Sequence, residues 1–102
     1  SISNLAEMLN APVSFDFKEK IADFLKDELQ NKMYFEYGNL GYDLTETYAS
    51  FCIKTGRKDE FLQYLDSKIQ FAKNDDYERA FFIKTKIGFL PKFRDQKKKI
   101  PP

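Results

Sequence analysis

The chain has 102 residues, the size of one small domain, and its formal net charge is +1. Eleven phenylalanines and six tyrosines supply enough apolar surface for a buried core. A nearly neutral chain has no strong overall attraction to nucleic acid. There is no histidine and only one cysteine, which excludes an intrachain disulfide, the commonest transition-metal ligand sets, and a Cys-His or Ser-His nucleophile pair.

The basic residues are concentrated near the C-terminal end of the chain. Residues 92–102 carry five basic residues and one acidic residue, a net +4, which leaves −3 for residues 1–91.

Cys52 lies in an apolar run, where a thiol stays protonated and inert, so we expect a cytoplasmic or nuclear protein. No apolar run approaches the about 20 residues that cross a bilayer. The absence of an initiating methionine suggests a piece of a larger protein.

The first half of the chain predicts two helices and a turn. A helix is expected over 3–9, with Asn4 and Glu7 as a capping pair. Pro12 prevents the helix from continuing. A second is expected over 16–33, beginning at Asp16. Its apolar residues share one helical face: Phe17, Ile21, Phe24, Leu25, Leu29 and Met33. Two glycines, Gly38 and Gly41, predict a turn after it.

The second half predicts three more helices. Asp43 and Glu46 form a capping pair for a helix that ends at Gly56, and the stripe over 58–72 predicts the next, closed by Asn74. Asp75 and Glu78 begin a fifth over 77–87. Gly88 and Pro91 are the residues expected to end it. All four glycines are therefore interpreted as helix ends.

The fifth helix has an alternative. Residues 80–89 alternate apolar and polar side chains as a half-buried strand would, and residues 33–37 could pair with them. The capping residues favour helices, since strands do not need caps. The prediction is an all-α fold of four to five amphipathic helices, in a small bundle or a repeat-like array of hairpins, with α+β and a small antiparallel sheet as the alternative. Residues 1–91 form the predicted domain, and 92–102 a basic, proline-ended tail or linker.

A shift of 32 residues aligns Asp43 with Asp75, Glu46 with Glu78 and Gly56 with Gly88. Within the first unit, Ala49, Gly56, Phe61 and Leu65 follow the order small residue, turn glycine and second-helix anchors. This spacing resembles a divergent tetratricopeptide repeat over residues 43–88. The resemblance implies binding of a protein or peptide by the first helix of each pair. The groove-facing positions it implies are Asp43, Glu46, Ser50, Ile53 and Lys54, and then Asp75, Glu78, Phe82, Thr85 and Lys86.

No motif for catalysis or for a cofactor is present. The chain has no glycine-rich phosphate loop and no calcium loop, and the acidic cluster at 75–78 fits a helix start. We therefore expect no enzyme, no cofactor, no metal and no small-molecule substrate, but a helical protein–protein or peptide interaction module. The alternative is an accessory domain for nucleic acid or a membrane surface, which would use exposed aromatic residues and Lys97, Lys98 and Lys99.

Overall fold

The computed structural model describes residues 1–36, 38–72 and 75–98, with residues 94–98 through their backbone only. Throughout these residues the regular structure is helical, which confirms the all-α prediction and gives no support to strands over 33–37 or 80–89. The elements are α1 (Ile2–Glu7) with a 3₁₀ turn (Met8–Asn10), α2 (Phe15–Glu28), α3 (Met33–Glu36), α4 (Leu40–Thr55), α5 (Lys58–Phe71) and α6 (Asp76–Lys98). Two compact units divide within α4, Ser1–Phe51 and Cys52–Pro102.

In the first unit, serines begin the first two helices. The Ser1 hydroxyl accepts the N–H of Asn4 at 3.4 Å, and the Ser14 hydroxyl accepts the N–H of Phe17 at 3.2 Å. The predicted starts at Asn4 and Asp16 are therefore wrong, because both residues lie inside helices whose exposed amides a serine already satisfies. The first helix also ends earlier than predicted, at Glu7, and a 3₁₀ turn follows it.

Helix α2 buries only part of its predicted apolar stripe. Ile21, Leu25 and Leu29 are buried, whereas Phe17 and Phe24 are exposed. The helix ends at Glu28, earlier than predicted, and Met33 begins α3. The reason lies at Asn31, whose side-chain oxygen accepts the Met33 N–H at 3.0 Å and so favours a new helix start over continuation.

Helix α4 begins at Leu40, so Asp43 and Glu46 lie inside it and do not cap it. Gly41 is its second residue rather than a helix end. A Cβ at this position would lie 2.6 Å from a ring carbon of Phe35 in α3. The Tyr34 carbonyl oxygen would lie 2.7 Å from the same Cβ, so the close approach of this backbone atom and of the Phe35 ring requires glycine. The Phe35 ring also meets Tyr42 edge-on at 5.4 Å.

Near the start of the second unit, α4 ends at Gly56, as predicted. This residue has φ +73°, and the Arg57 N–H donates to the Cys52 carbonyl at 2.9 Å, the six-residue hydrogen bond of a Schellman motif. Gly38 also has a positive φ, +75°, so a side chain introduced there would be strained, as one introduced at Gly56 would be. Helix α5 covers the predicted segment, one residue short, and Asn74 lies outside the described residues.

Aromatic rings form the core between α5 and α6. Phe61 and Phe89 lie with ring centroids 4.6 Å apart, and Tyr64 meets Phe82 edge-on at 5.9 Å. All four side chains are buried. These contacts fix which face of α6 is turned toward α5.

Helix α6 continues past its predicted end to Lys98. Its start is as predicted, since the Asp75 carboxylate accepts the Glu78 N–H at 3.0 Å. Gly88 and Pro91 lie inside it, although proline in a helix interior costs about 3 kcal/mol. Phe93 stacks on Phe89 at 6.5 Å and lies 5.2 Å from the Lys58 ammonium, contacts that anchor the helix beyond Pro91. The predicted tail 92–102 is thus helical as far as Lys98, and residues 99–102 lie outside the described residues.

Candidate partner-binding surface on helix α6

Helix α6 is apolar on two opposite faces. Its inner face carries the buried side chains Glu78, Phe82 and Phe89. Its other face carries apolar side chains at intervals of three or four residues, which we name the outer stripe: Tyr77, Ala80, Ile83, Ile87 and Leu90. Because a helix makes one turn in 3.6 residues, positions with this spacing lie in one line along its surface.

The outer stripe is open to solvent along most of its length. Tyr77 is 73% exposed, Ile87 67% and Ile83 41%. Ala80 is also exposed, and Leu90 is half-buried. The stripe covers four turns, about 20 Å. Its three-and-four spacing is that of a helix-pairing seam, and its central residues are aliphatic.

The charged residues beside the outer stripe are mainly basic. Between residues 79 and 92, α6 carries four basic side chains and no acidic one. Arg79 contacts Asp76 at 3.3 Å and Lys86 contacts Asp66 at 2.7 Å, so these two charges are partly balanced. Lys84 is exposed and lies one turn from both Ala80 and Ile87. It places a positive charge directly against the stripe.

The structure separates the binding residues predicted from the repeat into two groups. The first group lies on α4 at intervals of three or four residues, and all four side chains are exposed: Asp43, Glu46, Ser50 and Lys54. They form one polar face, and their binding role stays a prediction. Ile53 is half-buried.

In the second group, Glu78 and Phe82 lie on the inner face of α6, and the exposed Asp75 is the capping residue that precedes the helix. Phe82 is 0% exposed and Glu78 is buried, while Thr85 and Lys86 are half-buried. Neither Phe82 nor Glu78 therefore offers a surface to a partner. The 32-residue shift aligns the exposed face of α4 with the face of α6 that packs against α5, so equivalent positions have different surroundings.

The same sequence holds a signal that points to the outer stripe. Segment 77–93 contains two interleaved apolar series, one through Phe82, Phe89 and Phe93 and one through Ile83, Ile87 and Leu90. A helix with one buried face needs only one such series. Two series predict that both faces of the helix contact something.

Other exposed apolar side chains are more scattered. Phe17 and Phe24 lie two turns apart on α2, and Phe15 stacks on Phe51 at 6.3 Å. Phe71 is exposed at the end of α5. None of these extends over four turns of one helix, as the outer stripe does.

Within residues 1–36, 38–72 and 75–98, no three Cys, Asp or Glu side chains come together as metal ligands would. No helix in the same part of the chain has the length and apolar character of a membrane span. Lys97 and Lys98 lie in the last turn of α6, and Lys99 is outside the described part. Comparison with protein-family models, with curated proteins and with solved structures finds no match to this chain.

Proposed function

We propose that this chain is a non-catalytic helical module that binds another protein through the outer stripe of α6. The observation that carries this proposal is the exposure of aliphatic side chains on a helix whose opposite face already forms a core. A contiguous exposed apolar patch is unfavourable in water, and such patches mark interaction sites in soluble domains.

Helix-to-helix packing is the recognition mode that fits this surface. A partner helix needs apolar anchors at intervals of three and four residues, which the outer stripe offers over four turns. The small Ala80 lets a partner backbone approach closely near one end, and Ile83 and Ile87 fill the contact at the centre. Full burial of one such isoleucine contributes about 1.5–3 kcal/mol.

The polar face of α4 is a separate candidate contact, which the resemblance to a tetratricopeptide repeat implies through its first unit. The proposal includes residence in the cytoplasm or nucleus, because Cys52 is a buried free thiol.

Chemical-shift mapping tests the proposal. The probe is a synthetic helical peptide of about three heptads, with leucine in a three-and-four stripe and glutamine beside it. We expect the backbone amide signals of residues 77–90 in the ¹⁵N-labelled protein to shift on titration. A scrambled peptide of equal composition is the control. No shift with the striped peptide, or shifts confined to α2, would contradict the proposal.

A further inference from the structure

The charges around the outer stripe identify the chemistry of the partner. Arg79 and Lys86 are partly balanced by Asp76 and Asp66, and Lys84 is an exposed basic side chain beside the stripe. Lys84 lies between Ala80 and Ile87 on the flank of the stripe, where a bound helix would place its own flanking side chains. Complementary charges at such flanks set partner choice and the association rate.

We propose that the partner is an amphipathic helix of another protein, with acidic residues beside its apolar stripe. The inference rests on the proposed function and specifies its ligand. A carboxylate at a flanking position of that helix meets the Lys84 ammonium while the aliphatic side chains pack against Ile83 and Ile87. Lys84 is exposed, so its ammonium is accessible to such a carboxylate.

A second copy of this chain is a poorer occupant. If two copies of α6 pair antiparallel so that Ile83 of one packs on Ile87 of the other, the Ala80 of each meets the Leu90 of the other. The same two-fold arrangement places the two Lys84 side chains beside each other. Like charges at this position disfavour self-association.

An anionic bilayer is also a poorer occupant. Surface helices that insert at a membrane use bulky aromatic and leucine side chains on the inserted face, and the phenylalanines of α6 at 82 and 89 are buried in the core.

Fluorescence anisotropy with labelled helical peptides tests the inference. Three peptides share one apolar stripe and differ only at the flanking positions, which are glutamate, glutamine or lysine. We expect the glutamate-flanked peptide to bind at least about tenfold more tightly than the lysine-flanked one in low salt. Lys84→Glu should weaken glutamate-flanked binding by about fivefold and strengthen lysine-flanked binding. Lys20→Glu, a reversal at an exposed lysine of α2, should change neither.

Several outcomes would overturn the inference. Equal binding of the three peptides would overturn the acidic partner and leave the proposed function standing, whereas binding of none would overturn both. Sedimentation velocity showing a dimer that Ile87→Asp dissociates would assign the surface to a second copy. Tighter binding to phosphatidylserine vesicles than to the glutamate-flanked peptide, lost in Ile87→Asp, would assign it to a membrane.

Discussion

Replacing Gly88 with alanine is expected to stabilise the protein, whereas the same replacement at Gly56 is expected to destabilise it. Gly88 lies inside α6 without a positive φ, and a Cβ there would meet nothing within 4 Å. Alanine in a helix interior is favoured over glycine by about 0.5–1 kcal/mol. Gly56 has equally open surroundings but φ +73°. A left-handed conformation costs an L-residue about 1–2 kcal/mol.

Urea denaturation of the two variants beside the wild type measures both changes in the free energy of unfolding. An added Cβ meets no atom within 4 Å at either position, and the two positions differ in backbone conformation. The opposite signs of the two changes in unfolding free energy therefore report backbone conformation alone. A Gly88→Ala variant that is neutral or less stable would refute the continuous helix and restore a helix end at residue 88. A stabilising Gly56→Ala would refute the left-handed turn after α4.

Three further predictions concern single side chains. Cys52 is fully buried and should resist thiol reagents until urea unfolds the protein; rapid native labelling would contradict this. Phe93→Ala should lower the free energy of unfolding by about 1–2 kcal/mol, because Phe93 is half-buried, and an unchanged urea midpoint would argue against packing beyond Pro91. Burial first, and then its hydrogen bond to Glu28 and the charge of that carboxylate, raise the pKa of Tyr34 above its usual value. Neutral Tyr34 is therefore favoured on folding, a contribution that is complete below the usual tyrosine pKa and is lost as pH rises through the raised pKa. Glu28→Gln should lower this pKa in a ¹³C NMR titration of the tyrosine rings, and an unchanged value would contradict the hydrogen bond.

In the second unit, sequence features that act within a single helical turn predict the helix ends correctly. Gly56 ends α4 because only its own backbone must be left-handed, and Asp75 caps α6 because its carboxylate reaches an amide three residues ahead. Both are interactions within a few residues of sequence. Such interactions can be identified from the sequence without knowledge of the fold.

The errors lie where contacts distant in sequence decide the outcome. Gly88 and Pro91 predict a helix end, but Phe93 packs on Phe89 and against Lys58, far back in the chain, and α6 continues. Phe17 and Phe24 share a helical face with buried residues, yet both are exposed, because the width of the covered stripe depends on the neighbouring helices. For the same reason, the sequence shows two apolar series in α6 but does not show which of them is exposed. Which of two apolar series faces the core is settled only by packing against α5.

The central claim is that exposed aliphatic side chains of α6 bind a partner helix, and Ile87→Asp tests it most directly. Ile87 is 67% exposed, so the variant should keep the wild-type circular dichroism spectrum and unfolding midpoint. Its dissociation constant for the glutamate-flanked peptide should rise at least about tenfold, because a charge replaces an apolar side chain that the bound peptide would bury. Phe24→Asp, at a 45% exposed position of α2, is the matched control and should bind as the wild type does. Unchanged binding by Ile87→Asp, or an equal loss in both variants, would contradict the claim.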